Sequence, residues 1–196
     1  MRAADNARAR YLHQTYMMRL KHLSARSWAL AALFLFLLAG GATLWRYSGK
    51  PWRSSVKADK VLVEKGERRL TLLHQGQTLK TYRVALGPNV AGHKQAEGDG
   101  RTPEGRYRLD WRNPQSKFHL SLHVDYPNET DKMRAAERGV PPGGDIMIHG
   151  LPKGAGGFGS AHYLRDWTAG CIAVTNDEIE EIWDAVDDGA EIEIVP

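Results

Sequence analysis

The sequence predicts a mostly β protein, a β-sandwich or barrel with one or two short helices, preceded by an N-terminal transmembrane helix. Three observations lead to this fold class. Short segments of alternating apolar and polar residues recur from residue 60 to the end of the chain. Only two segments in that region show the 3.6-residue period of a helix. Ahead of them, residues 27–45 form a run of 19 residues without a charged side chain.

The 196-residue chain carries a net charge of +4, but this charge is unevenly distributed. Residues 1–49 contain seven Lys and Arg against one acidic residue, whereas residues 50–196 contain 20 against 22. The folded part is therefore close to neutral, and nucleic acid is not a predicted partner. With 42% hydrophobic residues, one compact domain with a substantial core is expected.

The uncharged segment at residues 27–45 is long enough to cross a bilayer, which takes about 20 residues. Its basic flank, residues 1–26, is predicted to stay in the cytoplasm, which places the rest of the chain outside. A cleaved signal peptide is the alternative, because residues 40–42 (Gly-Gly-Ala) follow the apolar run. The polar residues 46–58 are predicted to be a linker, and residues 59–196 an exported domain.

The strand patterns follow in order after the linker. Residues 61–63 and 69–73 flank a Glu-Lys-Gly-Glu turn and predict a β-hairpin. Residues 79–86 alternate as a third strand, and residues 87–105 form a polar, glycine-rich loop. Further strand patterns occupy residues 106–109, 118–124, 145–149 and 191–195.

Two helices are predicted in the same region. One is short and spans residues 131–138. The other begins at Thr175, where Thr175 and Glu178 fit a capping box, and Gly189 is its predicted C-terminal stop. Its apolar residues recur at helical spacing and predict one buried face. The positions of that face are Ile179, Ile182, Trp183 and Val186.

Cys171 is the single cysteine of the chain, and its role decides most of what the sequence says about function. No disulfide can form within one chain, and a lone cysteine is most often a small buried hydrophobe. A zinc ligand is a second interpretation, but only His149 and His162 lie near it in sequence and no second cysteine exists. No metal site is therefore predicted. A catalytic nucleophile is the third interpretation.

Local features favour the nucleophile. Gly170 directly precedes Cys171 and permits turns in which successive amides point at one spot, as an oxyanion hole requires. The helix that begins near Thr175 brings a positive dipole end close, which is expected to lower the pKa of the thiol. The best base is His149, which ends an apolar strand and is followed by Gly150, a residue that leaves room for a substrate. A structural histidine is the alternative interpretation of His149.

At this pair the sequence resembles a known family. The His-Gly pair at residues 149–150, a loop, and the Thr-Ala-Gly-Cys-Ile run at residues 168–172 resemble the signature of the L,D-transpeptidase (YkuD-type) catalytic domain. The segment at residues 98–107 is similar to the Thr-Pro-x-Gly-x-Tyr element of that family. Residues 142–152 resemble a branch of it found in Gram-negative envelopes. The resemblance covers roughly residues 58–196.

The resemblance implies an L,D-transpeptidase-like β fold for residues 59–196. Together with the anchor predicted at residues 27–45, the Gram-negative branch predicts a protein anchored in the inner membrane with its catalytic domain in the periplasm. The resemblance also implies peptidoglycan stem peptides as substrates, and no metal or organic cofactor. Cys171 would attack the stem carbonyl that precedes the terminal D-Ala and form a thioester, with His149 as base and then acid. The Gly150 carbonyl would orient the imidazole, and amides around Gly170 and Cys171 would hold the oxyanion.

Thr168, Arg165 and Trp167 are the candidate substrate-binding residues. Two departures from the family pattern leave the acyl acceptor open, because Ala169 stands where many members carry a second histidine and Ala173 replaces a common Arg or Asn. A diaminopimelate amine, a protein lysine, a D-amino acid and water are all compatible acceptors. The alternatives to a transpeptidase are an L,D-carboxypeptidase or amidase-type hydrolase of the same fold and a non-catalytic peptidoglycan-binding module.

Overall fold

The computed structural model describes residues 52–196, together with Leu30, Leu33 and Phe34. The predicted cytoplasmic segment 1–26, the predicted anchor helix 27–45 (those three residues apart) and the linker up to residue 51 lie outside the described residues. Within the described part, none of the helices has the length and apolar character to span a membrane. The anchor stays a prediction from the sequence.

A single eight-stranded β-sheet forms the body of the domain. Its strands are β1 Ala58–Glu64, β2 Arg69–His74, β3 Gln77–Arg83, β4 Gly105–Asn113, β5 Ser121–Val124, β6 Met147–His149, β7 Ile172–Ala173 and β8 Val186–Val195. They lie in the order β3-β2-β1-β8-β4-β5-β6-β7. The prediction of a mostly β fold is confirmed, but the architecture is one curled sheet, a half-barrel, rather than a closed barrel or a two-sheet sandwich.

The parallel pair β1–β8 lies in the middle of this sheet. Val61 and Val63 of β1 stand opposite Ile192 and Ile194 of β8, and all four side chains are buried. Alternation along both strands therefore places one face of each in the core. Burying each aliphatic side chain there is worth about 1.5–3 kcal/mol.

The sheet curls far enough for the chain just beyond β3, at one edge, to form a single β-bridge with β7 at the other edge. Ala85, just beyond β3, exchanges two backbone hydrogen bonds of 2.9 Å with Ala173 of β7. On its other side, β7 pairs in parallel with β6. Strand β7 was not predicted, because two residues are too few to show a period.

Three short helices accompany the sheet, namely α1 Glu129–Glu137, a 3-10 helix Gly156–Leu164 and α2 Asn176–Ala185. The sequence predicted one or two short helices. The 3-10 helix, which lies in a glycine-rich stretch, was not predicted. The helix predicted at residues 131–138 begins two residues earlier, because Asn128 is its N-cap and accepts from the Asp131 amide at 3.0 Å.

The capping box predicted for α2 is confirmed. The Glu178 amide donates to the Thr175 hydroxyl at 3.3 Å, and the Thr175 amide donates to the Glu178 carboxylate at 2.8 Å. The predicted stop at Gly189 is wrong. The helix ends at Ala185 and passes directly into β8, where Gly189 lies with φ of +86°. Val186 already pairs with Ala58 of β1 before the glycine, and β8 pairs with both β1 and β4 from Glu191 onwards.

A completely buried lysine, Lys65, ties the glycine-rich loop 87–105 to the sheet. Its ammonium donates to the carbonyls of Gly92 at 2.6 Å and Thr102 at 3.0 Å. Its third contact is the Glu104 carboxylate at 2.8 Å. Three donors thus meet three acceptors, which offsets the cost of removing the charge from water.

We expect Lys65→Met to lower the free energy of unfolding by about 3–5 kcal/mol, because it leaves Glu104 and two carbonyls without their buried partner. Urea denaturation measures this loss. Lys132→Met is the matched control, since Lys132 pairs with Glu129 at an exposed position and its loss should cost less than about 1 kcal/mol. Equal effects of the two substitutions would contradict a role for Lys65 as the tie of this loop.

Candidate active site

The parallel pairing of β6 with β7 brings Cys171 close to His149. Ile148 stands opposite Ile172, and His149 stands opposite Ala173. Cys171 precedes Ala173 by two residues, so it lies on the sheet face of His149, with the two Cα atoms about 8 Å apart for ordinary strand spacing and rise. Ile148 and Ile172 face the opposite way and are fully buried. Two residues that are distant in sequence therefore share one site.

The imidazole of His149 is held in one orientation and one tautomer. His149 is 3% exposed, and its Nδ1 lies 2.7 Å from the carbonyl oxygen of Gly150. A carbonyl oxygen only accepts, so Nδ1 carries the proton and Nε2 presents its lone pair. The Phe118 ring packs against the imidazole at 4.5 Å between centroids, and Trp167 meets it edge-on at 5.8 Å. The hydrogen bond from His149 Nδ1 to the Gly150 carbonyl is the contact that the predicted orienting role of Gly150 requires.

Burial sets the protonation states of both residues. It lowers the pKa of His149 to about 4, an effect that nearby His162 adds to and the Gly150 carbonyl opposes. Burial also raises the pKa of the Cys171 thiol, so the expectation that the helix near Thr175 lowers this pKa is not met. Both charged forms are disfavoured. The resting pair is therefore a neutral thiol and a neutral imidazole rather than an ion pair.

The backbone before Cys171 has a shape that only glycine allows. Gly170 has φ of +127°, and a Cβ on it would lie 2.5 Å from the carbonyl oxygen of Arg101. Arg101 belongs to the loop that Lys65 ties down. The cysteine turn is therefore pressed against a second, fixed segment of backbone.

The Thr168 side chain closes the turn that carries Cys171. Its hydroxyl accepts from the Gly170 amide at 3.1 Å and donates to the Cys171 carbonyl at 2.8 Å. Thr168 is buried, so this hydroxyl is engaged inside the loop, and contact with a substrate stays a prediction. Of the two amides expected in an oxyanion hole, that of Gly170 is already bonded. The Cys171 amide has no hydrogen-bond partner within residues 52–196.

Gly150 is required by packing, not by room for a substrate. A Cβ on Gly150 would lie 2.8 Å from Oδ1 of Asn176 and 3.1 Å from the Phe118 carbonyl. Asn176 Oδ1 also accepts from the Leu151 amide at 2.8 Å. Asn176 thus anchors the backbone after His149 to the start of α2. Sequence reasoning missed this residue, because the capping pattern locates the helix start but does not say which loop lies beside it.

Two of the three predicted substrate-binding residues, Arg165 and Trp167, line one cavity of about 500 Å³. The cavity is next to the site, since Trp167 contacts the imidazole of His149. Arg165 is exposed and makes no ion pair within residues 52–196. The neighbouring Asp166 binds Arg68 instead, at 2.8 Å. The remaining lining residues are Leu151, Pro152, Ala155, Phe158, Ala161, His162 and Leu164.

No cluster of three or more His, Cys, Asp or Glu side chains suited to a metal ion occurs in the described part of the chain. What the site offers is a thiol, a neutral base on the adjacent strand, and one unpartnered amide beside the thiol. These are the groups that an acyl transfer through sulfur uses.

The chain is similar to proteins of a known family. The family model of the L,D-transpeptidase catalytic domain (YkuD) matches residues 58–194. The curated protein "Putative L,D-transpeptidase YafK" of Escherichia coli (strain K12) is 28% identical over 158 residues, which cover 76% of this chain and 56% of the relative.

Two solved structures are also similar to this chain. The helical cell shape determining protein Pgp2 from Campylobacter jejuni is 27% identical, with a TM-score of 0.54, and the match covers 69% of this chain and 46% of that one. Bdellovibrio bacteriovorus Bd1075 is 28% identical, with a TM-score of 0.48, and the match covers 68% and 46%. This chain spans about half the length of the relatives it matches.

We expect His149 to make the protein less stable as the pH falls. Below pH 6.5 the unfolded chain binds a proton at this histidine, whereas the folded protein binds it only near its pKa of about 4. Between pH 7 and pH 4.5 the free energy of unfolding should therefore fall by about 2 kcal/mol more in the parent than in His149→Gln. Urea denaturation of both proteins at the two pH values measures the difference. An identical pH dependence of the two would show that His149 is not buried in its neutral form.

Proposed function

Because the chain belongs to the family of L,D-transpeptidase (YkuD) catalytic domains, we propose that it is a cysteine acyltransferase that acts on peptidoglycan stem peptides, in cell-wall cross-linking or remodelling. The observation that carries the proposal is the β6–β7 register, which sets neutral His149 beside Cys171. The name of Pgp2 connects that relative with helical cell shape, which fits an activity on the cell wall.

The first half of the reaction acylates Cys171. At rest the thiol of Cys171 points at the Asp145 carbonyl oxygen, 3.5 Å away, and it must therefore rotate towards Nε2 of His149 before it reacts. Nε2 then takes the thiol proton as sulfur attacks. The S–C bond forms at the stem carbonyl that precedes the terminal D-Ala. The negative charge moves to the carbonyl oxygen, which the free Cys171 amide stabilises. The C–N bond then breaks, Nε2 returns its proton to the leaving D-Ala amine, and a thioester remains.

The second half releases the acyl group. An acceptor amine gives its proton to Nε2 of His149 and attacks the thioester carbonyl. The C–S bond breaks, and the proton on Nε2 returns to the thiol of Cys171. Charge thus resides on the buried pair only while bonds are changing, in agreement with pKa shifts that disfavour both charged resting forms.

Hydrolysis is the second candidate, with water as acceptor and an L,D-carboxypeptidase or amidase as the result. One observation favours it: Ala169, next to the cysteine turn, is exposed, and Cys171 is only half-buried. Where many family members carry a second histidine, this chain has a small side chain that leaves solvent close to the thioester.

We expect the purified protein to convert tetrapeptide muropeptides and Cys171→Ala to be inactive, because the substitution removes the nucleophile. Mass spectrometry identifies both the products and the acyl adduct on the intact protein. Cross-linked dimers or exchange of D-amino acids indicate transfer, whereas shortened products alone indicate hydrolysis.

Two controls make this experiment specific. Cys171→Ser and Cys171→Ala should unfold at the temperature of the parent, so that loss of activity reports chemistry rather than folding. An acyl adduct that survives Cys171→Ala would refute the nucleophile, and binding of muropeptides without any turnover by the parent would favour a non-catalytic peptidoglycan-binding module.

We further propose that residues 27–45 anchor the protein in the inner membrane with the catalytic domain in the periplasm. The charge-free run and the basic flank at residues 1–26 support this proposal. Protease added to spheroplasts should digest the domain while it leaves a membrane-bound N-terminal fragment. Domain that is released intact, with a new N-terminus near residues 40–42, would instead establish a cleaved signal peptide.

A further inference from the structure

A row of side chains crosses the sheet from Cys171 to an exposed tryptophan. The β5–β6 register pairs Met147 with His123. The β6–β7 register pairs Ile148 with Ile172, and its continuation by one residue brings Cys171 beside Met147. Trp111 of β4 stacks on His123, with ring centroids 4.9 Å apart and 23° between the planes. Paired residues of neighbouring strands point to the same side of a sheet. Trp111, His123, Met147 and Cys171 therefore share one face.

A β-bulge places Trp111 in this position. Pairing between β4 and β5 jumps from Leu109–Val124 to Arg112–Leu122, so that Asp110 and Trp111 together oppose His123. Such a bulge re-aims side chains, and it occurs preferentially next to functional sites.

Both residues of the bulge contact His123. Asp110 Oδ1 lies 2.6 Å from the ring nitrogen Nδ1, and the indole of Trp111 covers the ring. Trp111 is nevertheless 41% exposed, so the indole is supported on one side and open to solvent on the rest. The Asp110 side chain is 43% exposed and retains acceptor capacity beside it.

An aromatic plane with a neighbouring carboxylate suits a sugar ring. The C–H bonds of a saccharide carry partial positive charge and pack on the negative face of an indole, while its hydroxyls donate to a carboxylate. A peptide backbone, in contrast, would need unpaired backbone donors and acceptors at an edge, and β4 is paired on both sides, with β8 and β5.

The distance along the row agrees with the proposed substrate. Three strand spacings of about 4.8 Å separate the β7 end of the row from β4, which makes roughly 14 Å. In a tetrapeptide the reacting carbonyl belongs to the third residue, and three extended residues span roughly 10–11 Å before the link to the sugar. A stem peptide with its acyl group at Cys171 can therefore place its sugar at Trp111.

We propose that Trp111, Asp110 and His123 form a saccharide subsite, which binds the sugar ring that bears the stem peptide reacting at Cys171. The placement of this ring rests on the proposed function. The subsite makes the protein select stem peptides that are still attached to glycan over free peptides.

The test measures binding rather than turnover, in a Cys171→Ala background. Isothermal titration compares a disaccharide-tetrapeptide with the free tetrapeptide. We expect the glycan-bearing ligand to bind about five- to tenfold more tightly, a ratio that one stacked ring can supply. Trp111→Ala should reduce the ratio to about one, and Trp111→Phe should keep most of it, because an aromatic face remains. Met133→Ala, at another exposed apolar side chain, is the control and should leave the ratio unchanged.

Each outcome bears on one proposal. A ratio of one in the parent background, a ratio that Trp111→Ala leaves intact, or no binding of either ligand overturns the saccharide subsite. A Trp111→Ala effect that is equally large on the free tetrapeptide also overturns it and indicates a peptide contact instead. If the ratio behaves as expected but the parent protein forms no acyl adduct at Cys171, the proposed chemistry fails while the subsite stands.

Discussion

The site depends on the hydrogen bonding of a two-residue strand. Ala173 of β7 exchanges both of its backbone bonds with Ala85, and the Val174 amide donates to the His149 carbonyl at 2.9 Å. One edge of β7 thus holds the far end of the curled sheet, and the other edge fixes the register with β6. Cys171 and His149 lie in separate segments of the chain, and this register is what brings them together in space.

Burial gives this geometry its chemical character. The site keeps its histidine neutral by removing it from water, and it fixes the useful tautomer with the Gly150 carbonyl. Rigid supports surround the pair, with Thr168 inside the cysteine turn and Asn176 behind Gly150. A buried pair without charge costs less to hold in place than an ion pair, and the supports limit its motion.

Local patterns predicted the first hairpin and the Thr175 capping box, because each of these depends on neighbouring residues. The pairing of His149 with Cys171 was predicted with the help of a family resemblance, and its catalytic role stays a prediction. The strand β7 could not be predicted in this way, since it exists only through partners that are distant in sequence. The Gly189 stop failed for the same reason, because the chain after Ala185 pairs with the distant strand β1, beginning at Val186 with Ala58. The engagement of the Gly170 amide by Thr168 likewise depends on three-dimensional geometry that residue types do not encode.

The β6–β7 ladder sets the spacing of His149 and Cys171, and the segment between them supports the two residues only at its ends, through Gly150 and through Thr168 and Gly170. This segment includes the 3-10 helix Gly156–Leu164 and lines the cavity beside the imidazole. Within this segment, changes confined to residues 153–161 would therefore alter the shape of the cleft, while Gly150, Trp167 and Thr168 keep the contacts that hold His149 and the turn before Cys171. New substrate ranges could thus evolve, or be engineered, in these residues without rebuilding the proposed catalytic pair of Cys171 and His149.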